Sequence, residues 1–195
     1  MKKICTFSLG REEFLVREIW SEKEIQERIA ELAEKIAAHY QKIWTPPQKI
    51  AIVAILDGAV FFATDLARKL QKHFPSGVLL FETFAISSYN KEEPGEIKIL
   101  KEPKRPLRGK HVLIVEDIVD TGRTLEALLR KIKATQPLSI TVCVLIDKRG
   151  RRERKVKIHF RGFLLRKPKF VIGYGLDYEG LGRALPWIGE KINSK

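Results

Sequence analysis

The stretch VLIVEDIVDTGRTLEALLRKI, residues 112–132, passes from an apolar run through a short polar turn into a helical pattern. VLIVE has the near-continuous apolar character of a strand covered on both faces, as in a parallel sheet. LEALLRKI runs on as a helix, so DIVDTGRT is the turn between them. Consecutive backbone N–H groups at Thr121, Gly122, Arg123 and Thr124 are free at the helix start, where the helix dipole also favours an anion. Glu116 and Asp117 close the strand with two carboxylates, which can accept from ribose hydroxyls or hold Mg²⁺ through water. Asp120 then lies between phosphate and sugar. On these residues alone the segment can seat a sugar phosphate, or it can be an ordinary turn with an Asp/Thr helix cap.

Working outward, the same alternation recurs. Ser21 and Glu24 have capping-box spacing, and Ile25, Ile29, Leu32, Ala33, Ile36, Ala37 and Tyr40 follow at helical period, which predicts a helix over 21–43 stopped by Thr45-Pro46-Pro47. KIAIVAIL (49–56) reads as a buried strand, Asp57-Gly58 as a turn, and roughly 60–73 as a second helix. VLLFETFAI is the next strand. Residues 88–108 are polar and proline-bearing and predict a long loop with a short IKIL strand inside it. LSITVCVLI (138–146) and KFVIGY (169–174) are later strands. The order predicts an α/β chain with a mostly parallel, twisted sheet flanked by helices, whose ligand crevice lies beyond the carboxyl ends of the strands.

The bulk properties bound the function classes. A chain of 195 residues fits one domain that buries its core without disulfides. Its two cysteines, Cys5 and Cys143, are far apart and form no C-x-x-C, so neither a disulfide framework nor a zinc site is indicated, and a reduced cytoplasmic setting is the expectation. No secretory signal or membrane span is legible. The net charge of +13 favours polyanions. Lys148, Arg149, Arg151, Arg152, Arg154, Lys155 and Lys157 concentrate it in one run, which can be an RNA-binding patch, a solvated loop, or a means of steering an anionic small substrate.

VEDIVDTGRT resembles the phosphoribosyl-pyrophosphate signature of the type I phosphoribosyltransferases. Asp at position 120 points to the 6-oxopurine branch, the hypoxanthine-guanine phosphoribosyltransferases. The resemblance runs from about Lys49 to Arg183. It implies a single domain over 1–195, with a core of about 45–165, a small hood from about 1–20 and 166–195, and a flexible active-site loop of about 88–100. It implies transfer of the 5-phosphoribosyl group from phosphoribosyl pyrophosphate to N9 of hypoxanthine or guanine. Mg²⁺ is the implied cofactor, and a homodimer or homotetramer the implied assembly.

The same resemblance assigns residues. Thr121, Gly122, Arg123 and Thr124 would bind the 5′-phosphate, and Glu116 and Asp117 the ribose hydroxyls. Asp120 would act as general base toward N7 of the purine. Leu56, Asp57 and Gly58 align with a pyrophosphate loop that contains a cis peptide before its second residue; many relatives carry Lys where this chain has Asp57, whose charge would be repelled by pyrophosphate. Arg183 would contact pyrophosphate, and Ser88 and Tyr89 match a lid. Lys148 would donate to the purine O6, Phe170 would stack on the base, Val171 would offer backbone groups to its edge, and Val119 would pack beneath it. Asp177 would lie near the base's 2-position or bind Mg²⁺ together with Glu116 and Asp117. A rival of another class is an RNA-binding regulator that keeps this fold and uses the run 148–157 on nucleic acid; in that branch an aromatic stands where this chain has Asp120.

Overall fold

The computed structural model describes residues 2–10, 12–87, 98–167 and 169–192. Ser21 caps helix α1 (Glu22–Tyr40): its hydroxyl accepts from the Glu24 N–H, and the Glu24 carboxylate accepts from the Ser21 N–H. The seven apolar positions anticipated for the inner face of α1 are all buried. These two signals fix where the helix starts and which side faces the sheet.

That sheet contains β3 (Ile50–Leu56), β4 (Leu79–Ser87), β5 (Lys98–Lys101), β6 (His111–Val119), β7 (Ser139–Lys148) and β8 (Phe160–Leu165), in the order β5-β4-β3-β6-β7-β8. All neighbours are parallel except β5, which runs antiparallel to β4. Strand periodicity explains why the central strands are apolar throughout. Ile50, Ile52, Ala54, Leu113 and Val115 pack with α1 and with α2 (Val60–Leu70), whereas Ala51, Val53, Ile55, Val112 and Ile114 pack with Leu125, Leu128 and Ile132 of α3 (Arg123–Ala134). Each such Val, Leu or Ile side chain contributes about 1.5–3 kcal/mol when fully buried.

A second sheet, a hood, joins β1 (Ile4–Leu9) and β2 (Glu12–Trp20) from the N-terminal segment to β9 (Val171–Ile172) and β10 (Ile188–Ile192) from the C-terminal one, in the order β1-β2-β10-β9. Phe14, Val16, Ile172 and Trp187 form its small core. Arg17 and Lys169 both ion-pair with Glu190, which ties the two chain ends together.

Two sequence expectations change in detail. The strand expected over 169–174 is only Val171–Ile172 and pairs with β10 in the hood, because Gly173, Tyr174 and Gly175 all turn to positive φ. The second helix ends at Leu70 and tightens into a 3₁₀ turn over Gln71–His73. No helix among the described residues is long and apolar enough to cross a membrane.

Candidate active site

The carboxyl ends of β3, β6 and β7 lie side by side under the hood. A cavity of about 250 Å³ opens there, lined by Ile55, Leu56, Ile86, Glu116, Ile118, Val119, Asp120, Thr121, Gly122, Thr124 and Leu125.

β6 carries two adjacent acids near its carboxyl end, of which Glu116 lines this space while Asp117 lies against Gly58. Glu116 Oε2 is buried with no hydrogen-bond partner among the described residues. Burial, and then the charge of Asp117, push the Glu116 carboxyl well above the usual carboxylate range. Burial also pushes Asp117 up to about 6, against the opposing pull of the Ile118 N–H, donated at 2.8 Å, and of Arg183. Adjacent buried carboxyls with an open oxygen suit hydroxyl groups or a hard divalent cation, since Mg²⁺ is commonly held by one or two carboxylates plus substrate oxygens. Asp177 is committed elsewhere: Oδ1 pairs with Arg183 at 2.6 Å and Oδ2 accepts from the Gly180 N–H at 2.8 Å. No group of three or more metal-binding side chains converges among the described residues.

After Asp120 the chain turns sharply. Gly122 takes φ +85° as the N-cap of α3, a left-handed conformation that glycine adopts without a Cβ clash. The N–H groups of Thr121, Gly122, Thr124 and Leu125 have no acceptor among the described residues, whereas that of Arg123, expected to be free, donates to Thr121 Oγ1 at 3.4 Å as the turn folds back on itself. The free groups form, with the helix dipole behind them, an anion seat. The back of this turn is held by the basic run. Arg152 donates to the carbonyls of Asp120 (2.9 Å) and Val119 (3.0 Å) and to Asp147 Oδ1 (2.6 Å), while the N–H groups of Glu153 and Arg154 both donate to the Thr121 carbonyl at 3.0 Å. Arg123 pairs with Glu153 at 2.6 Å. Part of the run is therefore structural, with Arg149, Arg151 and Arg154 left largely exposed. Its sequence, a string of like charges, carries no sign of which arginine turns inward; the one legible clue is the acid Asp147 ending a buried strand.

Lys148, at the end of β7, reaches Asp120 Oδ2 at 3.0 Å, with Arg151 farther off at 3.9 Å. Asp120 Oδ1 is buried and unpartnered. The two residues expected to serve the base are thus in contact with each other. Phe170 is 48% exposed and stands edge-on to Tyr178 at 5.4 Å, a ring face available for stacking, and Val171 follows it in β9.

At the end of β3, the Leu56–Asp57 peptide is cis, and Asp57 is exposed with no side-chain partner among the described residues. A Cβ on Gly58 would stand 1.7 Å from Asp117 Oδ2, so only glycine allows this loop to lie against the acid pair. Arg183 donates to the Gly175 carbonyl and to Asp177, and its charge is felt at Asp117. The structure brings loop 56–58, Arg183, the acid pair and the anion seat around one crevice. Ser88 and Tyr89 lie outside the described residues.

Residues 17–179 match the model of the phosphoribosyl transferase domain family. The hypoxanthine phosphoribosyltransferase of Buchnera aphidicola subsp. Schizaphis graminum is 36% identical over 182 residues, 92% of this chain and 98% of that protein. The hypoxanthine-guanine phosphoribosyltransferase of Mycobacterium tuberculosis is 41% identical over 170 residues, 86% of this chain and 81% of that protein. Among solved structures, the hypoxanthine phosphoribosyltransferase from Trypanosoma cruzi in complex with the product IMP superposes with a TM-score of 0.81 at 32% identity, covering 94% of this chain and 96% of that one.

Proposed function

The chain belongs to the phosphoribosyltransferase family, and from that premise we propose that it serves purine salvage, transferring the 5-phosphoribosyl group of phosphoribosyl pyrophosphate to N9 of hypoxanthine or guanine. The bond formed joins N9 to C1′ of the ribose; the bond broken joins C1′ to the pyrophosphate oxygen. The products are IMP or GMP and pyrophosphate. The observation that carries this reading is the juxtaposition of unpartnered buried acid oxygens on Glu116 and Asp120 with the free amides of Thr121, Gly122, Thr124 and Leu125.

In this reading the amides and hydroxyls of Thr121, Gly122, Arg123 and Thr124 take the 5′-phosphate, and Glu116 and Asp117 accept from the ribose hydroxyls. Holding the sugar at both ends sets C1′ in line between base and leaving group, which converts an encounter into a positioned reaction. Asp120 receives the N7 proton as N9 attacks. Lys148 exchanges its contact with Asp120 for the purine O6, a carbonyl that rewards a donor-only group where an amino group would not. Phe170 stacks on the ring, Val171 reads its edge and Val119 packs beneath it. The backbone amides of Leu56, Asp57 and Gly58, with the Asp57 carboxylate turned away, and Arg183, as a planar fork of donors, surround the departing pyrophosphate, with Ser88 and Tyr89 closing over it and excluding water.

Glu116 and Asp117, with Asp177 if it leaves Arg183, are the residues that would hold Mg²⁺. Bound there, Mg²⁺ supplies neutralisation of the charge that develops on pyrophosphate. The finer assignments proposed with this reading are acceptance of guanine as well as hypoxanthine, a homodimer or homotetramer, cytoplasmic residence, and one domain with its core over about 45–165. Use of the 148–157 run on RNA is disfavoured because Arg152 and the backbone of Glu153 and Arg154 are engaged on the anion seat.

The test is a spectrophotometric assay of hypoxanthine, guanine, xanthine and adenine with phosphoribosyl pyrophosphate and Mg²⁺. Turnover of the 6-oxopurines and not of adenine is expected. Turnover of none of the four would refute the assignment.

A further inference from the structure

Three successive residues, Gly173 (φ +111°), Tyr174 (φ +49°) and Gly175 (φ +100°), take left-handed backbone conformations. Glycine does so freely, but a bulky aromatic is disfavoured there and persists only where its surroundings hold it. The Tyr174 side chain is held firmly. The residue is 6% exposed. Its hydroxyl donates to Oδ2 of Asp65 on α2 at 2.5 Å, and Gln26 on α1 donates to the same oxygen at 2.6 Å. Burial, and then Asp65 itself, raise the phenol's pKa, which keeps the hydroxyl a donor.

The consequence appears one residue further on. A Cβ on Gly175 would stand 2.0 Å from the Gly58 carbonyl oxygen, so the turn's backbone rests directly on loop 56–58. Arg183 grips the same turn, donating to the Gly175 carbonyl while the Gly175 N–H donates to the Arg183 carbonyl at 2.9 Å. On its other side Gly58 abuts Asp117. Contacts therefore run without interruption from Gln26 and Asp65, through Tyr174 and Gly175, to Gly58 and Asp117. α2 begins at Val60, so Asp65 is also joined to the loop through a single helix. Neither Gln26, Asp65 nor Tyr174 lines the cavity at the β6 end.

We infer that Asp65 is a positioning residue: by holding the Tyr174 hydroxyl it seats the 173–175 turn, and Arg183 with it, against loop 56–58, and so sets the geometry of the pyrophosphate end of the site. The inference rests on the transferase reading above. It makes a side chain outside the crevice responsible for one substrate and not the other.

Steady-state kinetics with phosphoribosyl pyrophosphate and hypoxanthine varied separately, accompanied by thermal melts, test it on the full chain. Tyr174→Phe keeps the ring and removes only the hydroxyl. Asp65→Ala removes the acceptor, and Asp65→Asn keeps one. Because a misplacement remote from the chemistry can cost up to about 10²-fold, Tyr174→Phe and Asp65→Ala should each raise the KM for phosphoribosyl pyrophosphate by about tenfold, with the KM for hypoxanthine unchanged. Asp65→Asn should recover most of the loss, and the double variant should be no worse than either single one, since both remove the same contact. A lowered Tm with an unaltered KM for phosphoribosyl pyrophosphate would make the contact a brace only and overturn the inference, as would a parallel rise in both KM values. If Asp65→Ala does not fold, Tyr174→Phe decides by the same split. A wild-type protein that transfers no phosphoribosyl group would instead overturn the functional reading, and this inference with it.

Discussion

Val119 and Asp147 face each other in register at the ends of adjacent strands, yet β6 and β7 treat buried acid in opposite ways. Asp147, 1% exposed, is surrounded by the guanidinium groups of Arg149, Arg152 and Arg161 at 3.3, 2.6 and 3.0 Å. Across the strand boundary, one oxygen of each half-buried acid, Glu116 Oε2 and Asp120 Oδ1, is buried with no hydrogen-bond partner among the described residues, while the other Asp120 oxygen pairs with Lys148. A buried charge with its partners inside the protein supports the fold; one without them opposes folding until a ligand arrives. The open oxygens of Glu116 and Asp120 share one cavity, which marks it as the place for a ligand; the other buried side-chain atoms without a hydrogen-bond partner among the described residues, Tyr40 Oη and Arg161 Nε, do not line it. Arg152 couples the two ends, since the guanidinium that neutralises Asp147 also holds the carbonyls beneath the open site.

Asp120→Asn should keep substrate affinity and Tm while turnover falls by about 10²–10⁴-fold, the usual worth of a positioned proton acceptor; near-normal turnover with hypoxanthine and guanine would remove Asp120 from the chemistry. Asp147→Asn should do the reverse in kind. It should lower the midpoint of denaturant unfolding by the equivalent of about 1–3 kcal/mol, since charge-assisted hydrogen bonds are lost and the arginines can turn partly to solvent. An unmoved midpoint would mean that β7's acid is no more structural than β6's. Glu116→Gln should shift ligand-free stability the other way, upward by roughly 0.5–2 kcal/mol, because an unpaired buried acid is neutralised, while activity falls. A loss of stability in that variant would show that Glu116 is satisfied in the free protein.

The smallest effect concerns the far end of β6. His111 lies there with Nδ1 at 2.8 Å from Ser139 Oγ and Nε2 at 3.0 Å from Gln48 Oε1. Burial, and then the nearby His39, lower its pKa below 6.5. The folded protein thus favours the neutral ring, so the stability linked to it is complete above about pH 6.5 and is lost as pH falls through the folded value. Thermal melts should decline over that acid range, and less so in His111→Asn; identical slopes would show that the ring titrates as it does in the unfolded chain.

The parts of the molecule that were legible in the sequence are those governed by local rules. IVAIL and VLIVE announce strands covered on both faces, Ser21 and Glu24 announce the start of α1, and TGRT announces an amide-lined helix entrance. What stayed hidden depends on contacts between distant residues. Nothing near Trp20 signals that it pairs with Ile188, and nothing near Arg17 signals Glu190, so the hood's sheet could be expected only through the family resemblance. Arg152 looks like any neighbour in a basic run until Asp147 is seen beside it. The place of Tyr174 is hidden because neither its positive φ nor its hydroxyl's partner on α2 has a sequence signature.

The proposed transfer requires β6 and the turn after it to receive a phosphorylated pentose. A crystal structure of the protein soaked with IMP tests that most directly. The 5′-phosphate should lie on the N–H groups of residues 121–124, with the ribose hydroxyls against Glu116 and Asp117 and the base between Lys148 and Phe170. A nucleotide bound elsewhere, with those amides left untouched, would contradict it.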